Sequence, residues 1–171
     1  RVFSTFERSS GCRLHRDPLS QKCKVLLLGA WKNWSQEDIP IPYLIKSDQL
    51  DMLGYVLCAT YTQTRMTNGN ITKEKIRNIM GSWKGGKFMP LTDHPWSINC
   101  HALSKVWYNC HNMQLRQGDL NFIQSQINSW MYMDQLEKPQ DVVKYRCKEN
   151  GGLGLLCIPA KSLSMLIRSF L

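Results

Sequence analysis

Two Cys-His pairs, Cys100-His101 and Cys110-His111, are the side chains of this sequence best suited by type to hold a metal. On one continuous helix, the ten residues between the pairs separate them by about 15 Å of rise and roughly 80° of rotation. A tetrahedral zinc, with ligands about 2.0–2.3 Å away, cannot span that gap. A helix ending before Cys110 would leave a zinc reading open, but thiols buried beside partly exposed imidazoles are the simpler expectation. Cys12 and His15, at strand spacing, point to opposite faces and make a poorer site. No Gly-x-Ser-x-Gly elbow or Cys-His signature marks a nucleophile. Gly85-Gly86-Lys87 ends like a phosphate-binding loop, yet it lacks the Ser or Thr that should follow and the glycine spacing that should precede. The aspartates Asp17, Asp38, Asp48, Asp51, Asp93, Asp119, Asp134 and Asp141 are dispersed, with no adjacent pair to hold two magnesium ions. On its residues alone the chain carries no convincing active site.

What it carries instead is interleaved basic and aromatic residues. Between Ile71 and Arg116 stand seven cationic residues (Lys73, Lys75, Arg77, Lys84, Lys87, Lys105, Arg116) against two acids, Glu74 and Asp93. Lysines and arginines on helices can track phosphates, each contact adding about one released counterion to the salt dependence. Trp83, Phe88, Trp96, Trp107 and Tyr108 lie among them and could stack on unpaired bases. The competing expectation puts Trp83, Trp96 and Trp107 on core faces and makes the cations a solvated helix surface.

Composition fits a folded, polyanion-seeking chain. Its 171 residues suffice for one domain or slightly more, and the 43% hydrophobic content argues against disorder. The net charge of +9, from 22 Lys and Arg against 13 Asp and Glu, favours nucleic acid as a partner. Seven cysteines, odd in number and without a C-x-x-C pair, point to reduced thiols and an intracellular (nuclear or cytoplasmic) location. The run Val25 to Leu28 is too short to cross a membrane, so no membrane partner is expected. No signal peptide is visible, and the start on Arg1 and the apolar end MLIRSFL suggest that both edges are cuts.

The elements that must position these residues change character along the chain. Val2 to Arg8 reads as a helix tail stopped at Gly11, Cys12 to His15 as a short strand, and Lys22 to Gly29 as a buried strand closed by glycine. Ala30 to Pro42 is an aromatic loop, Tyr43 to Ile45 a short strand, and Leu50 to Cys58 a strand or strand pair around Gly54. A break near Tyr61 to Asn70 precedes a helix over Ile71 to Trp83, with Ile76, Ile79, Met80 and Trp83 on one face. Thr92 or Asp93 caps a second helix whose buried face would hold Trp96, Cys100, Leu103 and Trp107. A third helix opens at Gly118 or Asp119 with Leu120, Ile123, Ile127, Trp130 and Met131 inward. Gly151 to Cys157 is a loop or short strand, and Ser162 to Leu171 a last amphipathic helix. The expected fold class is α+β, a small antiparallel β region followed by a helical bundle.

The order of these features resembles the reverse transcriptase of non-LTR (LINE-type) retrotransposons, from just after the catalytic palm aspartates through the thumb. The resemblance rests on Phe6-Glu7-Arg8-Ser9-Ser10-Gly11-Cys12-Arg13-Leu14-His15, then Lys22-Cys23-Lys24-Val25-Leu26-Leu27-Leu28-Gly29 and Leu53-Gly54-Tyr55-Val56. It continues through Ile76 to Lys87 with Trp83-Lys84, then Pro95-Trp96-Ser97-Ile98-Asn99 and Gly151-Gly152-Leu153-Gly154-Leu155. It covers nearly the whole chain, with motifs weak singly and specific in combination. It implies a palm-edge remnant with a primer-grip-like hairpin over 1–60, a thumb-like helical region over 61–134, and a post-thumb loop and helix over 135–171. Lys22 would be a proton donor to leaving pyrophosphate, since a cation there stabilises developing phosphate charge. Leu53 and Gly54 would approach the primer end. Lys73, Lys75, Arg77, Lys84, Lys87 and Lys105 would meet the template–primer duplex of RNA and DNA.

His15 stands where the family has asparagine and Lys24 where it has glutamate. The family's catalytic aspartates are absent from these residues, so no two-metal site can form within them. The implied Mg2+ belongs to the parent polymerase, no cofactor is expected in this piece, and the parent's palm and fingers become partners. The chain is then a template–primer-binding fragment, inactive alone. A standalone basic helical nucleic-acid-binding module with no catalytic role is the alternative. A Cys/His hydrolase or zinc protein is a third and more remote one.

Overall fold

A two-residue turn makes the clearest β-structure in the chain. The computed structural model describes residues 8–10, 24–35, 37–38, 44–46, 48–83, 90, 92–132 and 139–168. Strand β3 (Gln49–Met52) pairs antiparallel with β4 (Tyr55–Cys58), in a register that joins Met52 to Tyr55 and Gln49 to Cys58. Only Leu53 and Gly54 remain to turn the chain, at φ of 53° and 82°. Positive φ at both central residues matches the twist of the strands, as in the tight hairpin turns usually built from Asn-Gly. Ahead of this hairpin, β1 (Lys24–Leu26) pairs with β2 (Leu44–Lys46) in parallel, a pairing that the alternation of residues did not foretell. Among the described residues the strand expected at Lys22 to Gly29 ends at Leu26, the one expected at Tyr43 to Ile45 runs Leu44–Lys46, and the Cys12 to His15 strand falls outside them.

By contact density the chain divides into two compact units, Arg1–Thr64 and Arg65–Leu171. The first contains the strands, and the second is helical. The fold is α+β: a two-stranded antiparallel sheet near the N-terminus, followed by a mostly helical region.

Helix α1 (Tyr61–Ser82) begins ten residues earlier than the hydrophobic periodicity predicts. Thr60 is the reason. Its hydroxyl accepts from the Gln63 backbone N–H at 3.3 Å, capping the helix start, and donates to Gln63 Oε1 at 2.9 Å. Thr64 adds a second tie, its Oγ1 accepting from the Cys58 N–H at 2.9 Å. The change of composition read at Tyr61 to Asn70 therefore falls within the first three turns of helix. Its inward face reads Thr64, Asn68, Thr72, Ile76, Met80, all buried and spaced by four, and its first half is polar.

The rest of the helical unit comprises α2 (His94–Ser97), a π turn (Ile98–Ala102), α3 (Leu103–Asn112), α4 (Gln117–Met131), α5 (Asp141–Tyr145) and α6 (Ile158–Arg168). Asp93 stands at the N-cap of α2 with Pro95 in its first turn, as the sequence suggests. The buried face of the segment differs from expectation. Ile98, Ala102, Leu103, Val106 and Cys110 are inward, while Trp96 is 61% exposed and Cys100 is exposed. The wider π turn adds backbone without completing an α-turn, so a 3.6-residue wheel laid over it misassigns Trp96 and Cys100. In α4 the stripe Leu120, Ile123, Ile127, Trp130 and Met131 is inward as read.

Polar side chains knit the unit. Arg65 donates to the carbonyls of Gln114 at 2.8 Å and Leu115 at 3.1 Å, tying α1 to the α3–α4 connection. Asn109 Nδ2 donates to Thr72 Oγ1 at 2.6 Å, and Thr72 donates to the Asn68 carbonyl at 2.7 Å, all three residues being buried. Asn99 grips the segment before α6, donating to the Gly154 carbonyl at 2.9 Å and accepting from the Leu156 N–H at 3.3 Å. Gln124 Oε1 accepts from the Ile158 N–H at 3.1 Å and so closes the start of α6. The glycine segment 151–154 folds back on α5: Leu153 and Leu155 donate to Val143 and Lys144, and a Cβ on Gly152 would collide with the Arg146 carbonyl.

Candidate nucleic-acid interface

Helical spacing sorts the expected phosphate contacts into different places. Lys73 and Arg77, four apart on α1, share the face that meets α4. Lys75 is about 200° around the helix from Lys73 and exposed. Lys105 is exposed on α3. Leu53 and Gly54 form the hairpin tip, where the Leu53 side chain is 91% exposed. Lys22, Lys84 and Lys87 lie outside the described residues. Of the six candidates among the described residues, Lys73 and Arg77 share one helix face and Leu53 and Gly54 one hairpin tip.

Around those two stands a site that charge counting missed. Asp119, in the first turn of α4, is 3% exposed and lies 3.0 Å from Lys73 Nζ. Arg116, at the N-cap of α4, grips the same carboxylate with both arms of its guanidinium, at 2.7 and 2.9 Å. Such two-point pairing is the strong form of the charge-assisted hydrogen bond. Across from it the Phe122 ring carries Lys73 Nζ at 5.9 Å and the Arg77 guanidinium at 5.5 Å from its centroid. Two cations, Lys73 and Arg116, therefore share one carboxylate, and a third, Arg77, lies over the neighbouring Phe122 ring.

The electrostatics follow from burial and partners together. Burial by itself raises the Asp119 carboxyl, but hydrogen bonds and charges from Arg116 and Lys73 outweigh it and hold the group below the ordinary carboxylate range. The hydrogen bond to Asp119 in turn raises Arg116. Asp119 is therefore an anchor, keeping the cations in fixed positions; a negative end near the helix N-terminus is also favoured by the α4 dipole. Gly69 makes room for it, since a Cβ there would strike the Asp119 carboxylate. The i,i+3 pattern Arg116-x-x-Asp119 was available in the sequence as a signal for this arrangement; the Lys73 and Gly69 partners were not, because they are remote in the chain.

Of the five aromatics in the basic region, Trp83 and Trp107 are half-buried, Trp96 and Tyr108 are exposed, and Phe88 lies outside the described residues. Trp83 and Trp130 pack with ring centroids 5.4 Å apart, and His94 lies 4.8 Å from Trp130. His101 meets both Trp83 and Trp96 edge to face, at 6.3 and 6.2 Å. Trp107 is half-buried and lines a groove on α3. Cys110 is buried, and burial pushes its thiol up. Among the described residues no three His, Cys, Asp or Glu side chains are grouped so as to hold a metal ion. No helix among them is long and apolar enough to cross a membrane.

Fold and site together define an α+β protein with a tight β-hairpin, a helical unit and a cation-rich surface braced by one buried carboxylate. Set against protein-family models, curated proteins and solved structures, the chain matches none.

Proposed function

We propose that this chain is a template–primer-binding portion of an RNA-directed DNA polymerase of the LINE retrotransposon type, without a complete active site of its own. The observation that carries the reading is the positive surface of Lys73 and Arg116, both paired to Asp119, with Arg77 beside them over Phe122; such a surface suits the regularly spaced phosphates of a duplex. The hairpin tip supports it independently. Leu53 is a bulky residue at positive φ with its side chain in solvent, and strain kept where packing gains nothing is typical of contact sites. The motif order from Ser9-Ser10-Gly11 to Gly151-Gly152-Leu153-Gly154-Leu155 supplies the family. On this reading the partners are RNA and DNA together with the parent's palm and fingers, the Mg2+ and catalytic aspartates belong to that parent, Lys22 acts near the leaving pyrophosphate, and the location is intracellular. Lys75 and Lys105 add exposed charge elsewhere on the surface.

The test is a titration of the chain against a blunt RNA–DNA hybrid at two salt concentrations. Affinity falling steeply with salt is expected; affinity indifferent to salt would sink the phosphate-contact reading.

A further inference from the structure

A groove of about 460 Å3 opens along α3 and α6, lined by Trp107, His111, Lys161, Met165 and Arg168. Its two walls follow from helical spacing. Trp107 and His111 are four apart on α3, and Lys161, Met165 and Arg168 recur at four and three on α6. The two helices pack against each other, with Cys110 and Ser162 both buried. Among the described residues that line the groove are two cations, an imidazole and an indole, and no carboxylate. Lys161 and Arg168 are exposed, with no ion pair among the described residues, unlike Lys73 and Arg116.

We propose that this groove binds an unpaired nucleotide of a single-stranded nucleic acid, its base against Trp107 and its phosphates on Lys161 and Arg168. An aromatic face beside cations is the combination that single strands use: every base has a face to stack, and the backbone supplies the anion. The volume lies within the range of small-molecule and nucleotide-sized sites. A duplex does not satisfy the groove, because its bases are already stacked on one another and Trp107 would have nothing to receive. The site is separate from the Lys73–Arg77–Arg116 surface, and its fate is measured separately.

The experiment compares a labelled ten-nucleotide oligouridylate with a blunt RNA–DNA hybrid, both titrated by anisotropy against the whole chain. The Lys161→Glu/Arg168→Glu variant alters only exposed side chains, and its melting temperature is checked first. The expected result is a loss of at least tenfold in oligouridylate affinity, a salt slope smaller by about 1.4 for two lost phosphate contacts, and hybrid affinity within twofold of the parent. Trp107→Phe should retain the fold and lose most of the fluorescence quenching that oligouridylate produces. The proposal is overturned if oligouridylate does not bind, if the double variant binds it as well as the parent, or if hybrid affinity falls equally. Conversely, an Arg77 variant that loses the hybrid but keeps oligouridylate tests the duplex surface without touching this groove.

Discussion

The carboxylate of Asp119 occupies the space where a Cβ on Gly69 would stand. A glycine in the middle of α1 costs about 1 kcal/mol relative to alanine by helix propensity, so its presence is explained by the neighbour rather than by the helix. That neighbour is the anchor of the cationic cluster, and the packing of α1 on α4 is therefore coupled to the site's charge.

Gly69→Ala should destabilise the helical unit by about 1–3 kcal/mol through overpacking, despite its better helix propensity. In an Asp119→Ala background the same change should become neutral or stabilising. Urea unfolding of the four members of this double-mutant cycle measures the coupling, and additive effects would contradict the close approach.

Acid should act on the same carboxylate. Because the Asp119 pKa is depressed in the folded chain, its stabilisation is complete above the unfolded value of about 3.9 and is lost as pH falls through the lower folded value. Stability of the parent should then fall more steeply below about pH 4 than that of Asp119→Asn. Urea midpoints measured between pH 7 and pH 2.5 check this; parallel curves for the two proteins would count against it.

Thr72→Val should remove the acceptor of the Asn109 amide inside the core. Among the described residues the Asn109 Oδ1 has no hydrogen-bond partner, so the side chain would also lose its 2.6 Å hydrogen bond to Thr72. The expected cost is about 1–3 kcal/mol, the penalty for a buried donor left unsatisfied. Thermal melting distinguishes this from a conservative swap that changes nothing.

At the hairpin tip, Leu53→Asn should stabilise, because asparagine tolerates the left-handed region that leucine occupies at a cost of about 1–2 kcal/mol. Slower amide exchange across β3 and β4 is the expected readout. If Leu53 also meets a primer end, the stabilised variant binds hybrid more weakly than the parent.

These relationships also explain what could be read from the sequence. The α4 stripe from Leu120 to Met131 was legible because its inward positions are all apolar at helical spacing. The Leu53-Gly54 turn was marked by a glycine within a strand-like run. The first half of α1 was not legible, since Thr64, Asn68 and Thr72 bury polar atoms against partners that periodicity cannot see. Trp96 was misplaced because a π turn shifts the wheel. The basic residues were visible as a tally, but whether each was paired or free depended on Asp119 and Phe122 arriving from a distant helix.

The central claim is that the α1–α4 cations contact duplex phosphates. It is tested most directly by the salt dependence of blunt RNA–DNA hybrid binding for the parent and Arg77→Ala, with circular dichroism to verify the fold. The account predicts weaker binding by Arg77→Ala and a log–log salt slope smaller by about 1, the signature of one lost phosphate contact. An unchanged slope and affinity in a folded Arg77→Ala protein would contradict it.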